Sequence, residues 1–459
     1  MKKSLIALAA LAATGAFAQS SVTLYGRAEA GADVGYSSKT NLTVVTGAST
    51  NGVVTGSAVT TNTTSKPGFR LQDGNDQGQG TSRIGFRGTE DLGGGLKANF
   101  VMEMGVRIDE GCVNGNGVGG SCTSGNSGGG AAGTNALFGR AAWVGLSGGF
   151  GEVRLGRQVL GSFGVHANGL AAGAASGLYE AGANIVQGGV RFSNAIQYRS
   201  PDFGGISGTI SLAAPEGKTE SAANNISLTG VVTPGTSTST SPKTGIDLSV
   251  AYANGPIYVG FGYNRTGAAS ASNNNQAGPV PASVVIGADT KVTDYAISAS
   301  YNFGVAQPFF SYVNRKNDAT GFTTTNGVVV SGVSAITGTG TALNGNNTKS
   351  RQYTLGVKVP VGPATLIAAY GNLKDTGGST LTNGGAIVSA NTVEGKTTAF
   401  QVGAQYPLSK RTTLQANYGI NNRKIQGATV TANPTGGTAV GFAGETKVRA
   451  LNFGVAHAF

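Results

Sequence analysis

Apolar residues recur at every second position over long parts of the chain. In one such run, Ile246, Leu248 and Val250 alternate with polar or small residues. The alternation stops at an Asn-Gly pair, residues 254–255, and resumes at Ile257. A period of two predicts a β-strand with one apolar and one polar face, and the Asn-Gly break predicts a tight hairpin between two such strands.

The runs are separated by connections that alternate between short and long. The short ones are residues 90–95, 147–151, 201–205, 253–256, 303–305, 360–363 and 407–412. The long polar stretches include residues 37–80, 107–135, 158–189, 214–243 and 317–350. Seven short turns and eight long loops would join sixteen strands. Long loops without structure of their own argue against a compact soluble domain.

An outer-membrane β-barrel has this organisation, with short periplasmic turns and long outer loops. A strand of ten residues tilted near 45° covers about 23 Å, close to the apolar band of such barrels. Tyrosines near strand ends fit its interfacial girdles: Tyr252, Tyr263, Tyr301, Tyr370, Tyr406 and Tyr418. A β-solenoid would need a fixed repeat, and soluble β-sandwiches would favour Trp, Leu and Pro-rich linkers. We therefore predict an all-β transmembrane barrel of sixteen antiparallel strands.

The N-terminus has the pattern of a secretory signal peptide. Lys2 and Lys3 form a basic region, residues 5–11 an apolar region, and residues 16–18 (AFA) a small-x-small cleavage site. The apolar stretch is far below the roughly 20 residues of a membrane-spanning helix. We expect a signal peptide over residues 1–18 and a barrel over residues 19–459, in an exported protein.

The composition leaves little material for catalysis or metal binding. The chain has 459 residues, of which 77 are Gly, two are Cys and two are His. Gly115–Gly120 fits G-x-G-x-x-G but lies in a polar loop without a following helix, so we expect no nucleotide site. The formal net charge of +11 is not clustered into a nucleic-acid surface. We expect no enzyme, no cofactor, no metal and no nucleic-acid partner.

Several strings along the whole mature chain resemble the general porins of Gram-negative bacteria, in particular those of β-proteobacteria and neisseriae. They are residues 21–26 (SVTLYG), 82–93 (SRIGFRGTEDLG), 149–158 (GFGEVRLGRQ), 194–203 (NAIQYRSPDF), 408–412 (LSKRT) and 454–459 (GVAHAF). The resemblance implies a sixteen-stranded barrel in the outer membrane, usually a homotrimer, with the third long loop folded into the lumen to form a constriction.

Strand alternation predicts where the charges point. On the second strand Ile84 and Phe86 face one way, so Arg83 and Arg87 face the lumen. Arg140 has the opposite phase to Trp143. Phe192, Ile196 and Tyr198 are assigned to the lipid or a neighbouring subunit, which leaves Arg191, Gln197 and Arg199 inside. The other charges assigned to the lumen are Arg27, Glu29, Asp33 and Glu103. Lys or Arg on the lipid face would cost about 2–4 kcal/mol at mid-depth.

We interpret Arg83, Arg140 and Arg191 as the basic wall of the constriction, because each also matches a constriction-lining position of the porins that the chain resembles. One alternative stays open, namely that these arginines pair with Glu29, Glu103 or Glu152 in a structural network. The loop at residues 158–189 is rich in Ala and Gly, and its one acid, Glu180, would face the arginines if the loop folds inward. His166 is interpreted as a loop residue and His457 as an interfacial one.

The predicted function is a water-filled channel for passive diffusion of small hydrophilic solutes and ions, with a preference for anions. Two alternatives are a channel with a saturable site for one anion, such as phosphate or an organic acid, and a barrel that serves mainly as an adhesin or surface antigen. Cys112 and Cys122, in an exported loop, predict a disulfide. The C-terminal Phe459 is predicted to be an assembly signal read by the barrel-insertion machinery, as in the porins that the chain resembles.

Overall fold

The computed structural model describes residues 21–50, 53–73, 82–109, 111–114, 137–169, 190–214, 219–226, 232–276, 282–324, 341–383, 386–431 and 437–459. The predicted signal peptide, Glu180 and Cys122 lie outside these residues. Nearly all of the described chain is β-strand, as the period-two pattern predicts.

The described elements are nineteen strands and one helix. They are β1 (Ser21–Thr50), β2 (Val53–Asp73), β3 (Arg83–Gly93), β4 (Leu96–Arg107), β5 (Cys112–Asn114), β6 (Ala141–Gly148), β7 (Gly151–Val159), α1 (Gly161–Gly169), β8 (Arg191–Arg199), β9 (Ile206–Ala213), β10 (Thr219–Ile226), β11 (Val232–Asn254), β12 (Ile257–Gln276), β13 (Ala282–Tyr301), β14 (Gln307–Thr324), β15 (Thr341–Val361), β16 (Ala364–Asn383), β17 (Ala386–Pro407), β18 (Thr412–Thr431) and β19 (Gly437–Ala458). The helix is not long and apolar enough to cross a membrane.

The strands form one closed antiparallel barrel. β1 pairs with β3 through its first residues and with β19 along most of its length, so the sheet joins its own start and has no free edge. Sixteen strands make the wall, because β2, β5 and β10 pair only with the outer parts of β1, β4 and β11. Because the sheet is closed, the backbone N–H and C=O groups of every wall strand find partners on neighbouring strands, which lipid could not supply. The predicted sixteen-stranded barrel is confirmed.

The seven predicted short connections each join two paired strands in the structure. Several depend on Gly with positive φ, among them Gly95 at 83° and Gly255 at 55°. The expectation that the long polar stretches lack structure is wrong in part. Within the first of them, β1 and β2 stay paired from Ser38 opposite Ser65 to Thr50 opposite Val53. Over the same residues β1 also pairs with β19, and these ladders satisfy backbone groups without needing apolar side chains.

The two faces of the wall have opposite chemistry, as the alternation predicts. On β11, Asp247 is 0% exposed whereas the neighbouring Leu248 is 37% exposed. The same alternation places Ser298 inside and Ile297 outside on β13. Large exposed apolar residues therefore mark the lipid-facing surface, and buried polar residues mark the lumen side.

The C-terminal residue closes the barrel against the first strand. Gly26 and Phe459 exchange two backbone hydrogen bonds, at 3.0 and 3.1 Å. A Cβ on Gly26 would lie 2.3 Å from the Phe459 ring, so only Gly leaves room for the ring at this position. Phe459 thus packs on the seam between β1 and β19. His457 shares a hydrogen bond with Thr412 at the same end of the barrel.

Candidate functional site: the arginine cluster and the helix in the lumen

Glu103 lies at the centre of a group of arginines on the lumen wall. Its Oε1 accepts a hydrogen bond from Arg140 Nε at 2.7 Å. Its Oε2 accepts one from the Tyr25 hydroxyl at 3.0 Å and lies 3.9 Å from Arg83 Nε. The pairing of Arg83 and Arg140 with Glu103, which the sequence left open, is thus present in the structure. One carboxylate holds two guanidinium groups, one from the start of β3 and one from the residue before β6.

Arg191 extends this group toward the start of β8. Its Nε donates to the Arg140 carbonyl oxygen at 2.8 Å, and the charges of Arg140, Arg157, Glu103 and Arg83 all act on it. Sequence reasoning missed Arg157. Its guanidinium donates to the Gly139 carbonyl oxygen and to the Ser193 hydroxyl, both at 2.6 Å. We call Arg83, Arg140, Arg157 and Arg191 the arginine cluster.

A β-bulge between β7 and β8 explains why strand alternation did not predict the side-chain directions in this part of the wall. Gly156 pairs with Ala195 and Gln158 with Phe192, so Ser193 and Asn194 of β8 stand opposite Arg157 alone, and Asn194 has a φ of 52°. Such a bulge changes which face the following side chains occupy. The assignment of Phe192 to the lipid or a neighbouring subunit is therefore wrong, because Phe192 is buried beside Leu160. The alternation that placed Arg191 in the lumen fails with it, and Arg191 joins the cluster from the first position of β8 through its bond to the Arg140 carbonyl oxygen. In the sequence, Asn194 is the local signal of this bulge, because Asn tolerates a positive φ better than most residues.

The phase argument for Arg140 also fails in its detail. Trp143 has the opposite phase to the exposed Val144 and Leu146 and so lies on the lumen side, where the Arg154 guanidinium carbon is 4.0 Å from its ring centroid. Arg140 reaches Glu103 because it precedes β6 and is not bound by the alternation of that strand.

The remaining predicted lumen charges belong to separate groups. Arg27 forms a 2.8 Å ion pair with Glu29, which also accepts from Gln415. The Arg87 guanidinium carbon lies 5.1 Å from the Tyr25 ring centroid, close to the arginine cluster. Arg199 lies at the far end of β8, near the ion pair of Arg154 with Glu152.

The described part of the third long loop, helix α1, lies inside the barrel. It packs against β9, β11, β12, β13 and β14. The wall residues that it touches are lumen-facing, because their neighbours Leu248, Phe261 and Ile297 are exposed on the opposite face. A Cβ on Gly262 would lie 2.7 Å from the Ser162 Cα, so this Gly lets the helix backbone approach the wall.

Asp247 holds the first turn of the helix. Its Oδ1 accepts from the backbone N–H of Gly161 at 2.9 Å and of Ser162 at 3.2 Å, and its Oδ2 accepts from the Ser162 hydroxyl. Asn264 donates to the same Oδ2 at 3.3 Å. The carboxylate thereby satisfies N–H groups that lack partners within the helix and meets the positive end of its dipole.

The last turn is held by His166, which shares a 2.7 Å hydrogen bond with the Ser311 hydroxyl. Burial lowers the pKa of His166 to about 4, so the imidazole is neutral near pH 7. His166 therefore anchors the helix and adds no charge to the lumen. Within the described ranges, no group of three or more His, Cys, Asp or Glu side chains could hold a metal ion.

Comparison with known proteins agrees with this architecture. The family described as Gram-negative porin matches residues 4–426. The chain belongs to this family. The porin is 30% identical to outer membrane porin protein 32 of Delftia acidovorans, with all of both chains covered. It is 33% identical to major outer membrane protein P.IB of Neisseria gonorrhoeae over 46% of this chain and 48% of that protein.

Among solved structures, the porin is similar to one titled "Anion-selective porin from Comamonas acidovorans". The two are 24% identical, with a TM-score of 0.48, and the match covers 96% of this chain and 100% of the other. The family assignment and the closed barrel make the protein an outer-membrane channel for passive diffusion of small solutes and not an enzyme.

Proposed function

We propose that this porin favours anions and that the arginine cluster sets the preference. The observation that carries the proposal is the pairing of Arg83 and Arg140 with the single carboxylate of Glu103, with Arg191 bonded to Arg140 and Arg157 close enough to act on Arg191. Four guanidinium groups against one carboxylate give the wall a local surplus of positive charge. Arginine stays charged at any physiological pH, so the surplus persists. Passing anions are attracted and their local concentration rises.

The proposed mechanism combines this attraction with sieving. Helix α1 fills space against β9 and β11–β14, whereas the arginine cluster projects from the part of the wall around β3, β4 and β8. The open path between them would be the constriction. Glu180, which lies outside the described residues, is proposed to face the arginines from the same loop. The field would then point across the pore.

Single-channel recording of the purified porin tests the proposed function. In a salt gradient, the reversal potential is expected to lie on the anion side. With a series of chloride and organic-acid salts, the conductance is expected to rise linearly with concentration, because no tight site holds the solute. Saturation at low concentration would instead support a channel specific for one anion. A reversal potential on the cation side would contradict the proposed selectivity.

We propose that the chain is exported by a signal peptide over residues 1–18 and forms a homotrimer, as the resemblance to porins implies. The disulfide between Cys112 and Cys122 likewise stays a prediction. Cys112 begins β5 at the outer end of β4, and a bridge there would restrain the loop beyond it.

Deleting Phe459 is expected to lower insertion of the porin into the outer membrane, because we propose that the barrel-insertion machinery reads this residue. The packing of its ring on Gly26 supports a second, structural role at the seam. The two roles are separated by comparing membrane yield in cells with refolding into detergent. Reduced yield with normal refolding supports the signal, and equal yields of variant and parent would contradict it. Replacing Phe459 by Tyr is the control, since it keeps an aromatic C-terminus.

A further inference from the structure

A row of like charges runs across four neighbouring strands on the outside of the barrel. In the strand register, Arg351 lies opposite Lys374, Lys374 opposite Lys396, and Lys396 opposite Lys424. We call these four residues the basic row. Side chains directly opposite in a sheet have Cβ atoms about 4.5–5.5 Å apart, and like charges so placed destabilise the pairing. The barrel therefore keeps an arrangement that is unfavourable without a partner.

The basic row faces outward and not into the lumen. Each member has the same phase as an exposed apolar residue on its own strand, such as Tyr353 on β15 and Phe400 on β17. All four side chains are exposed, and Lys424 is 66% exposed. They do not line the diffusion path, so the proposed anion preference does not account for them.

The basic row lies just beyond the apolar band, on the side away from the short periplasmic turns. Along the strands its members stand two to six residues from Tyr353, Tyr370, Phe400 and Tyr418. For strands tilted near 45° this corresponds to roughly 5–14 Å along the membrane normal. At that height the side chains lie among the headgroups of the outer leaflet.

Other outward basic residues lie at about the same height as the basic row. Lys316 lies opposite Lys349, and Lys447 lies opposite Lys39. Two outward acids at this height are already paired within the chain. Asp318 contacts Lys316 at 2.8 Å. Glu445 contacts Lys447 at 3.3 Å and Lys424 at 3.8 Å. Arg351, Lys374 and Lys396 form no ion pair with any carboxylate among the described residues.

We propose that the basic row binds the phosphate groups of a phosphorylated glycolipid in the outer leaflet. Phosphate carries more than one acceptor oxygen and up to two charges, so one group can bridge two neighbouring cations. A second copy of the chain is a poorer occupant, since two outward acids at this height, Asp318 and Glu445, are already paired with lysines of the same chain. The apolar band below would contact the acyl chains of the same lipid.

The test replaces Arg351, Lys374, Lys396 and Lys424 together by Gln. Purified parent and variant in neutral detergent are titrated with diphosphoryl lipid A, monophosphoryl lipid A and phosphatidylglycerol, and bound lipid is counted by native mass spectrometry. We expect the affinity of the variant for diphosphoryl lipid A to fall at least about tenfold. The parent is expected to prefer diphosphoryl lipid A to the other two lipids.

A matched control replaces Lys410 and Arg411 by Gln, at the short turn on the opposite end of β17 and β18. This variant is expected to bind lipid A as the parent does. Without lipid, the fourfold variant is expected to melt no earlier than the parent, because neighbouring like charges are gone. Lipid A should raise the melting temperature of the parent and not of the fourfold variant.

Three results would overturn the assignment. The first is equal lipid A affinity of parent and fourfold variant, and the second is an equal loss in the Lys410 and Arg411 control. The third is a change of oligomeric state with unchanged lipid binding, which would make the basic row a subunit contact. The reversal potential of the fourfold variant is expected to equal that of the parent, so failure here is distinct from failure of the proposed anion preference.

Discussion

Replacing Arg83, Arg140 and Arg191 together by Gln is expected to move the reversal potential in a salt gradient toward cation preference. The change removes three of the four positive charges of the arginine cluster and also releases Glu103 from Arg140 at 2.7 Å and Arg83 at 3.9 Å. Glu103 would then present an unpaired negative charge to the pore. Both effects have the same sign.

The expected size follows from Coulomb's law. A unit charge at 4 Å contributes about 1 kcal/mol in bulk water and more near a low-dielectric wall. Removing three such charges should therefore change the ratio of anion to cation permeability by roughly tenfold or more. An unchanged reversal potential would show that the selectivity arises elsewhere, for example in the loops.

Two further variants control for this result. Glu103→Gln keeps a hydrogen-bond acceptor for Tyr25 and Arg140 but removes the negative charge, so we expect a smaller shift in the opposite direction, toward anions. Glu394→Gln removes an exposed carboxylate from the outer face and is expected to leave the reversal potential unchanged. The triple arginine variant and Glu103→Gln are expected to shift the reversal potential in opposite directions. A general disturbance of the barrel would not produce opposite shifts, so the comparison isolates the local electrostatic effect.

Replacing Asp247 by Ala is expected to free helix α1 from the wall. The carboxylate accepts two backbone N–H groups and one hydroxyl of the first helical turn, and it is fully buried. A hydrogen bond to a charged group contributes about 1.5–3 kcal/mol, and the loss leaves the helix N–H groups without partners. The anchoring of the helix should weaken by at least about 2 kcal/mol. We expect larger open-channel current fluctuations and faster protease cleavage within residues 158–189.

Asp247→Asn and Asp33→Ala serve as controls for the helix anchor. Asn keeps an oxygen that can accept from Gly161 and Ser162, so its effect should be intermediate. Asp33 is also buried on the lumen side but is bonded to Asn452 and not to the helix, so its loss should leave the fluctuations unchanged. Fluctuations and cleavage rates equal to those of the parent in Asp247→Ala would contradict the anchoring role.

The barrel could be predicted because each strand and each short turn is specified by residues that are neighbours in the sequence. An apolar residue at every second position, as at Ile246, Leu248 and Val250, fixes both the strand and the face that it turns to lipid. Turn residues such as Asn254 and Gly255 fix the short connections in the same way. The polar outer hairpins lack the apolar alternation, so the length of β1 beyond Ser37 could not be predicted. Pairing with β2 and β19 decides it.

The sequence by itself thus determined the barrel, the number of wall strands and the lumen side of Arg83, all from alternation within single strands. The tertiary structure decided what depends on contacts between distant residues. Ser162 meets Asp247 across 85 positions, and Arg140 meets Glu103 across 37. The bulge at Ser193 and Asn194 turned Phe192 inward, and Arg157, which stands opposite this bulge, is the member of the cluster that alternation did not predict. One extra residue in one strand changes the face of the side chains beyond it, and the alternating pattern by itself does not show where such an extra residue lies.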